Sequence, residues 1–424
     1  MDAEEFIRLH HHDDLRRLAL QMGRYPDSVR RRVLEQIAGW QAASRKLPGW
    51  AAVEGLLYPP RLALEQCSSE ATARYKASVM AGLEPGVYGP GSSRPGAGCP
   101  PTTLLDLTGG LGADCAFLAR LFDRVVYVER DERLCLLARH NFPLLGVGHV
   151  RVVEGDCIAF LRELASVAGP SFGPSGAGRA DWAFIDPSRR RVSGERVVAI
   201  SDCEPDVVAL EELLLTCARR VLVKLSPMLD LTSAVTGLRR VAEAHVVSVE
   251  GECKELLLVL GQGDMDQDDV PVTCVNLSGS GSGEASLRFT RRQERLSPCP
   301  PAHGVGRYLY EPNASILKAG AFRTVARVFG LEKLHPDTHL YTSARPVDHF
   351  PGRRFLVDAV YPLSKQGLRD LRIRVPRANL TVRNFPSTTD ELRRRLSLSD
   401  GGDTSLFATT LSDGKRVVIA CRKG

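Results

Sequence analysis

Hydrophobic and polar positions repeat in a regular order between residues 104 and 260. Short apolar runs, typical of buried strands, alternate with stretches in which apolar residues recur at helical spacing. Strands that alternate with helices are joined by right-handed crossovers, so the pattern predicts a parallel α/β sheet. The predicted strands cover residues 104–106, 124–128, 150–153, 182–185, 221–225, 245–249 and 255–260.

The last two predicted strands are separated only by a short polar turn at residues 250–252. A connection this short makes a hairpin, which predicts that the final strand runs antiparallel to its neighbours. That strand would begin at the edge where the parallel strands end, and ligands bind at this edge in open α/β sheets. We therefore expect Cys253 and Glu255 to lie near Asp186 and Lys224.

Residues 1–83 carry apolar residues at helical spacing and form a predicted amino-terminal helical region. The last of its helices, over residues 64–83, has Ser68 or Ser69 as its cap. Two surface loops rich in glycine, proline and serine follow along the chain, at residues 84–101 and 168–179.

After residue 260 the pattern becomes mixed. The polar stretch 261–283 predicts a linker or loose hairpin, and Asn313 is placed to cap a helix that runs to residue 329. Residues 350–424 predict a small α+β domain with a strand over residues 371–376. The chain therefore divides into an amino-terminal helical region (1–83), an α/β domain (84–262), a small α+β region (263–345) and a basic domain (346–424).

The turn after the first predicted strand is rich in glycine. Asp106 ends the strand, and Gly109, Gly110 and Gly112 let the backbone turn sharply and approach a ligand closely. A dinucleotide fingerprint needs a third glycine three residues after the second, and Cys115 stands there instead, so NAD is disfavoured. The remaining interpretations are a purely structural turn and a loop that cradles another nucleotide.

Acidic residues end the following strands as well. Glu129 ends the second strand, where a carboxylate is placed to accept hydrogen bonds from ribose hydroxyls. Asp156 follows the third strand and Asp186 follows the fourth. Because the carboxyl ends of parallel strands share one edge of the sheet, we expect these acids to converge with Asp106 on one nucleotide site.

The composition is that of a globular protein, with 424 residues of which 43% are hydrophobic and 25% charged. No apolar run reaches the roughly 18 residues of a membrane span, and the amino terminus is too charged for a secretory signal. Eleven cysteines without a Cys-x-x-Cys pair favour reduced core thiols over disulfides or zinc ligands. We expect a cytoplasmic protein without metal or membrane, and we interpret His10, His11 and His12 as solvated surface.

The formal charge of +6 is unevenly distributed. Residues 346–424 hold 15 Lys and Arg against 8 Asp and Glu, a net of +7, so the first 345 residues sum to −1. Clustered arginines with aromatic residues nearby fit a polyanion surface, and nucleic acid is the commonest such partner. A basic face that is merely solvated is the alternative.

Several stretches are informative when taken together and in order: YPPRLALEQCSSEATARYKA, LLDLTGGLGAD, YVERDERLCLLARHNF, FIDPSRR, VLVKLSPMLD, ECKELLL, YLYEPNASILKAG, HLYTSARPVDHFPGRRF and RNFP. With them the chain resembles a family of bacterial class I S-adenosylmethionine-dependent methyltransferases that carry a THUMP-like carboxyl-terminal domain. The resemblance implies a seven-stranded Rossmann-like core, a small ferredoxin-like piece and a terminal domain similar to THUMP modules, which bind RNA. THUMP usually precedes the catalytic core, whereas here the basic domain follows it, so tRNA specificity does not transfer directly.

The resemblance also implies S-adenosylmethionine as the cofactor. The glycines would pack against it, and the acid of the first motif would help to hold its amino acid end. Methyl transfer is an in-line displacement, so the protein chiefly aligns the two reactants and, where needed, removes a proton. The implied cofactor-binding residues are Asp106, Thr108, Gly109, Gly110, Gly112, Asp114, Glu129, Arg130, Asp156 and Asp186.

The motif after the fourth strand reads Asp186-Pro187-Ser188-Arg189. Exocyclic-amine methyltransferases have Asp/Asn-Pro-Pro and a stacking aromatic at this place, so adenine N6 methylation of that kind is disfavoured. Asp186 is expected to accept a hydrogen bond from a ring or amino N–H of the substrate. Arg189 is expected to clamp a phosphate together with Arg190, or else to form a salt bridge with a nearby acid.

Ring-carbon methylation would instead require a cysteine nucleophile at this edge, for which Cys253 is the first candidate and Cys203 the second. A buried inert thiol is the alternative for either. We expect a methyltransferase that acts on a base in structured RNA, either tRNA or rRNA. The alternatives are a methyltransferase for a protein or small molecule and a non-catalytic RNA-binding protein that retains the fold. The candidate catalytic residues are Asp186, Pro187, Arg189, Lys224, Cys253 and Glu255.

Overall fold

The computed structural model describes residues 3–59, 61–82, 102–168, 179–189, 199–278 and 286–424. The predicted loop at 84–101 and most of the predicted loop at 168–179 lie outside these residues. The chain forms two compact units. The first comprises residues 1–244, 255–265 and 277–283, and the second comprises residues 245–254, 266–276 and 284–424.

The amino-terminal region of the first unit is helical, as its apolar spacing predicts. Its last helix begins at Ser69, whose side chain accepts a hydrogen bond from Thr72 N, and ends at Gly82 in the left-handed region. Ser69 rather than Ser68 is therefore the cap of this helix. The α-helices are α1 (Ala3–His10), α2 (Leu15–Gln21), α3 (Asp27–Lys46), α4 (Pro48–Ala51), α5 (Arg61–Gln66) and α6 (Glu70–Ala81).

Strands and helices then alternate along the chain. Four of the helices begin at an aspartate whose side chain accepts hydrogen bonds from the first turn, namely Asp131, Asp156, Asp206 and Asp230. The elements are β1 (Thr103–Asp106), α7 (Ala113–Leu118), β2 (Arg124–Glu129), α8 (Glu132–Leu144), β3 (Val150–Glu154), α9 (Cys157–Ala168), β4 (Ala180–Ile185), β5 (Ser188–Arg189), β6 (Cys203–Glu204), α10 (Val207–Cys217), β7 (Ala218–Leu225), α11 (Leu231–Thr236), β8 (Val241–Val249) and β9 (Glu252–Leu260).

Hydrogen bonding places the core strands in the order β3-β2-β1-β4-β7-β9-β8. Strands β1 to β4 and β7 pair in parallel, whereas β9 pairs antiparallel with β7. This is the seven-stranded Rossmann-like core that the sequence predicts. Leu256 lies opposite Leu225, the last residue of β7, so Glu255 lies at the carboxyl edge of the parallel strands.

The second unit contains most of the described residues after β9. Its first new strand, within the predicted linker 261–283, pairs antiparallel with the next one. The linker alternative is therefore wrong for this part, because Val272, Cys274 and Val275 are buried in a strand, whereas the antiparallel pairing agrees with the hairpin alternative. The elements are β10 (Pro271–Leu277), β11 (Leu287–Thr290), α12 (Arg291–Leu296), β12 (Tyr308–Pro312), α13 (Ala314–Ala319), α14 (Phe322–Phe329), β13 (Glu332–His335), β14 (Thr338–Ser343), β15 (Gly352–Pro362), α15 (Lys365–Arg374), β16 (Asn379–Arg383), α16 (Thr389–Leu396), β17 (Thr404–Thr410) and β18 (Arg416–Lys423).

Seven of these strands form a second sheet in the order β13-β14-β12-β15-β18-β17-β16. One core of this unit contains Leu368 and Leu371 of α15, Leu392 and Leu396 of α16, and residues of the sheet such as Leu406. Another contains Leu309, Phe355, Phe407 and Ile419. Because side chains alternate along a strand, neighbouring residues of β17 and β18 contribute to different cores.

Two predictions of secondary structure in this unit are wrong. The helix predicted from Asn313 to residue 329 is two helices, because Gly320 has a φ of +72° and ends α13. Residues 371–374 belong to helix α15 and not to a strand. Leu368 and Leu371 are buried at helical spacing, whereas Ile373 is 71% exposed.

Candidate active site

The loop after β1 contains three glycines in different surroundings. A Cβ atom on Gly109 would lie 2.1 Å from Cε2 of Tyr127, and one on Gly112 would lie 2.8 Å from the ring of Phe142. Gly110 has a φ of +56°, and a Cβ atom there would have no neighbour closer than 3.9 Å. The loop is therefore packed tightly against the protein on one side and leaves open space beside Gly110, as a loop that cradles a ligand requires.

Glu129, the last residue of β2, holds the same loop. Its Oε2 accepts a hydrogen bond from Gly110 N at 2.8 Å, and its Oε1 accepts one from Asp131 N at 2.8 Å. The hydroxyl of Tyr127 donates to Gly110 O. A carboxylate offers about four lone-pair sites, so Glu129 keeps acceptor capacity for ligand hydroxyls while it fixes the loop.

Asp106, the last residue of β1, is only 1% exposed. Its Oδ1 accepts a hydrogen bond from Thr108 N at 3.3 Å, and its Oδ2 has no hydrogen-bond partner of ordinary geometry, although the Cys115 thiol is close by. Burial, together with the negative charge of Asp114, raises the pKa of Asp106 to about 8. A buried oxygen without a partner is uncommon, and a positively charged ligand group would satisfy it.

Asp186 follows β4 and forms an ion pair with Lys224 of the neighbouring strand β7. Its backbone N donates to Thr108 Oγ1 at 2.6 Å. The Asp186 side chain is 35% exposed, whereas that of Lys224 is 13% exposed. Burial alone would lower the pKa of Lys224, but the carboxylates of Asp186, Asp114 and Glu255 raise it. The pair therefore presents a carboxylate to solvent, backed by a buried ammonium group.

A second buried lysine joins helix α6 to β9. Lys76 is 0% exposed, and its Nζ donates to both carboxylate oxygens of Glu255 at 2.8 Å and to Ser68 Oγ at 3.2 Å. The same Nζ lies 3.1 Å from Asp114 Oδ1, and Ser68 Oγ donates to Asp114 Oδ2 at 2.7 Å. This cluster fixes the last amino-terminal helix at the carboxyl edge of the sheet.

The charges of the cluster act on one another. Burial raises the pKa of Glu255, although Lys76 and Lys224 oppose that shift. Burial would also raise the pKa of Asp114, but the same two lysines and the bond from Ser68 lower it on balance. Together with the carboxylate of the Asp186–Lys224 pair, three acids face two ammonium groups, so this edge favours a ligand that carries positive charge.

Asp156 and Arg130 have other partners at this edge. Asp156 Oδ1 accepts hydrogen bonds from Ile158 N and Ala159 N at 3.0 Å each, which makes Asp156 the cap of α9. Arg130 forms an exposed ion pair with Glu204 at 3.4 Å. Contact of either residue with a cofactor therefore stays a prediction.

The other candidate catalytic residues have few described side-chain contacts at this edge. Pro187 is buried beside Asp186, and the backbone of Arg189 pairs with Cys203 in the two-stranded ladder of β5 and β6. The side chain of Arg189 and the whole of residue 190 lie outside the described part of the chain. Cys253 is half-buried in the second unit, where it adds to the effect of burial in raising the pKa of the Cys274 thiol. The predicted roles of these residues stay untested.

The sequence motifs do not point to Lys76 as a site residue, and they indicate Ser68 only as a cap. A signal was present, because Thr72, Lys76 and Met80 recur every four residues on the buried face of α6. A lysine at a position where the helix is otherwise buried needs a buried acid as its partner. Sequence alone gives no means of choosing Glu255, which lies 179 residues away.

The strand order, the glycine loop and the acids at the strand ends together define a class I S-adenosylmethionine-dependent methyltransferase. The residues fit this cofactor, because the space beside Gly110 is open and the buried Oδ2 of Asp106 lacks a partner. Asp106, Gly110 and Glu129 would hold the cofactor, which supplies a methyl group on a sulfonium when bound.

Comparison with known proteins gives the same class. The chain is 36% identical to a crystal structure assigned as a methyltransferase of Porphyromonas gingivalis W83, with a TM-score of 0.83 and coverage of 100% of this chain and 97% of that one. It is 24% identical over 357 residues to an uncharacterized S-adenosylmethionine-dependent methyltransferase of Mycobacterium tuberculosis, covering 83% of this chain and 84% of the relative. A stretch of 58 residues, 14% of this chain, is 40% identical to 27% of a protein-L-isoaspartate O-methyltransferase of Methanoregula boonei.

Two domain families match the second unit. Residues 308–351 match a ferredoxin-like domain, and residues 352–423 match the THUMP domain-like family. The chain belongs to the family of class I S-adenosylmethionine-dependent methyltransferases with a THUMP-like carboxyl-terminal domain. The predicted fold class, enzyme class and cofactor are confirmed.

None of the helices in the described ranges is long and apolar enough to cross a membrane. In the same ranges, no three or more His, Cys, Asp or Glu side chains are grouped so that they could hold a metal ion.

Proposed function

We propose that this enzyme methylates a base in structured RNA, either tRNA or rRNA, in the cytoplasm. The observation that carries the proposal is a set of exposed arginines on the two helices of the THUMP-like segment. On α15 these are Arg369 and Arg374, and on α16 they are Arg394 and Arg395. Within the described part of the chain no acid forms an ion pair with any of the four, so their charge is available to phosphates.

The positive charge of the protein is concentrated in its carboxyl-terminal segment. Residues 346–424 carry a net charge of +7 on a protein whose total is +6. A protein that neutralises phosphates releases counterions, and this contribution supports binding to RNA of any sequence. A methyltransferase for a small molecule would gain nothing from such a surface.

The Asp186–Lys224 pair supports a proton-accepting role at the substrate. Asp186 is the half-exposed member, so its carboxylate is free to accept a hydrogen bond from a ring or amino N–H of a base. Lys224, which is largely buried, donates a hydrogen bond to that carboxylate and holds it in place. This arrangement serves nitrogen methylation, and ring-carbon methylation through Cys253 is the alternative chemistry.

Transfer of a labelled methyl group to cellular fractions tests the proposal. Purified full-length protein is incubated with tritiated S-adenosylmethionine and with total RNA or total protein from a strain that lacks the gene. We expect label in the RNA fraction and none above background with D186A. Label confined to protein or to small molecules overturns the assignment of RNA, and absence of any transfer together with retained RNA binding favours a non-catalytic RNA-binding protein.

A matched pair of double variants tests the contribution of the basic helices. R394Q/R395Q removes two adjacent arginines from α16, whereas R16Q/R17Q removes two adjacent exposed arginines from α2 in the first unit. The first variant should raise the KM for RNA about tenfold and lower its dependence on salt, with little change in kcat. Equal effects of both variants would contradict a specific role for the THUMP-like segment.

A further inference from the structure

One buried carboxylate in the second unit binds two arginines. Glu311, on β12, is 4% exposed. Its Oε2 accepts hydrogen bonds from Nε and Nη2 of Arg353, with the Nε bond at 3.1 Å. Its Oε1 accepts hydrogen bonds from Nε and Nη2 of Arg383 at 3.2 and 2.9 Å. Two guanidinium groups are therefore held beside each other by a single acid.

The charges of this triad do not balance. Two guanidinium groups and one carboxylate leave a net charge of +1. The arginine side chains remain 63% exposed for Arg353 and 44% exposed for Arg383, whereas that of Glu311 is 5% exposed. Each guanidinium has five N–H donors, and Glu311 uses two from each. Apart from one further bond from Arg383 to Val382 O, the remaining donors have no partner among the described residues.

Each arginine has a further contact besides Glu311. Arg353 lies directly opposite Glu311 in the ladder between β12 and β15, and its guanidinium lies 5.5 Å from the ring of Phe355. Arg383 donates to Val382 O at 3.2 Å, and the side-chain amide of the next residue, Asn384, contacts His335 Nδ1 at 3.0 Å. The bonds to Glu311 and these contacts reduce the conformational freedom that the arginines would lose when a ligand binds.

Charged groups of both signs act on His339, which Arg383 also affects. Lys333 and Arg383 both contribute, after burial, to lowering the pKa of His339, whereas Asp337 opposes that lowering. The amino group of Lys333 lies 5.4 Å from the Phe322 ring, on which His339 stacks. Lys333 therefore adds positive charge to that of the arginines, and Asp337 offsets part of it.

We propose that Arg353 and Arg383, held by Glu311, form a pre-arranged clamp for a phosphate group of an RNA backbone. Planar guanidinium groups bind phosphate oxygens through paired N–H donors, and fixed geometry strengthens such contacts. The identity of the phosphate as part of RNA rests on the proposed function. An ion triad that only stabilises the sheet is the competing explanation.

The variant E311Q separates the two explanations by the sign of its effect. It removes one negative charge, so if the triad only stabilised the sheet, RNA would respond to the net field alone and would bind the folded variant equally well or more tightly. A clamp would lose the acceptor that positions both arginines and would bind RNA about tenfold more weakly. The measurement is fluorescence anisotropy of a labelled tRNA with full-length protein at two salt concentrations.

A second variant remains informative if E311Q is misfolded. R383K keeps the charge but lacks the fork of donors, and we expect it to weaken RNA binding about fivefold or more. The matched control is R422K, because Arg422 of the same sheet donates from Nε to both oxygens of Asp358 and is 62% exposed. Equal affinities of R383K and R422K, or tighter binding by E311Q, would overturn the clamp.

Titration with inorganic phosphate distinguishes the clamp from the proposed function. If the wild-type protein binds phosphate but no RNA, and R383K weakens phosphate binding, the clamp is an anion site whose natural ligand is not RNA. This result would also refute RNA as the substrate of the enzyme. Absence of binding to either probe in the wild-type protein would refute the clamp itself. The expected result is that R383K lowers the affinity for both RNA and phosphate, whereas R422K leaves both affinities unchanged.

Discussion

Lys76 and Glu255 are 179 residues apart in the sequence, yet Lys76 Nζ lies 2.8 Å from both carboxylate oxygens of Glu255. Both side chains are buried, at 0% and 2% exposure of the residue. The pair joins the last helix of the amino-terminal region to the only antiparallel strand that borders the parallel strands in the described sheet. Assembly of the cofactor edge therefore depends on contact between segments that are distant in the chain.

Removal of the lysine should be strongly destabilising. K76M leaves Glu255 buried without its partner, and breaking a buried ion pair in this way costs about 3–5 kcal/mol. The free energy of unfolding in urea measures this loss. The double variant K76M/E255L replaces both charges by apolar groups and should recover much of the stability. Equal stability of K76M and wild type would show that the pair is not important for the fold.

A side chain at Gly110 should block the cofactor. In G110V the new atoms enter the open space beside the loop, so affinity for S-adenosylmethionine should fall at least about tenfold, or about 1.4 kcal/mol. G146V is the matched control, because Gly146 also has a positive φ, of +75°, and has no neighbour within 4 Å of a Cβ atom. Calorimetric titration of both folded variants with S-adenosylmethionine measures these affinities. An unchanged affinity in G110V would mean that the cofactor binds elsewhere.

Loss of the Asp186 carboxylate should slow methyl transfer without affecting the cofactor. D186A removes the proposed proton acceptor, and we expect kcat to fall by roughly a hundredfold or more on the identified substrate. The dissociation constant of S-adenosylmethionine should change little. The control is E212A, which removes an exposed carboxylate of the same charge from helix α10. Full turnover by D186A would mean that the substrate pocket lies elsewhere.

The stability of the protein should depend on pH through Asp106. The pKa of this carboxyl is raised from 3.8 to about 8 in the fold, so between these values the folded state keeps a proton that the unfolded chain has lost. Stability should therefore fall as pH rises through this window, by at most about 1.4 kcal/mol per pH unit, and level off above it.

The variant D106N tests this dependence. It should flatten the decline in the free energy of unfolding between about pH 5 and pH 8, because the amide does not titrate. D131N is the control, since asparagine also caps a helix and the residue is exposed. Parallel pH curves for wild type and D106N would contradict a raised pKa at this position.

The parallel core could be predicted from the sequence because its strands read as short apolar runs, most of which are buried. The acids at the strand ends followed from the same reasoning, since parallel strands bring their carboxyl ends to one edge. Asp106, Glu129 and Asp186 accordingly lie where the sequence predicts. These residues are identified by local pattern alone.

Other features depend on contacts that no local pattern records. The alternation of Leu371, Arg372, Ile373 and Arg374 is typical of a strand, but these residues end helix α15, whose core contacts come from Leu368 and Leu371. Lys76 and Glu311 could not be predicted as site residues either, because a buried charged side chain is stable only beside a partner of opposite charge, and here the partners are distant in the sequence.

The seven-stranded sheet of the second unit crosses the boundary between two recognised domain families. The ferredoxin-like match ends at residue 351 and the THUMP domain-like match begins at residue 352, yet β12 of the first segment pairs with β15 of the second. Glu311 on one side of this boundary binds Arg353 and Arg383 on the other. A recombination event at the boundary would leave an open strand edge and a buried acid without its partners. We therefore expect the two segments to be inherited together, as a single evolutionary module.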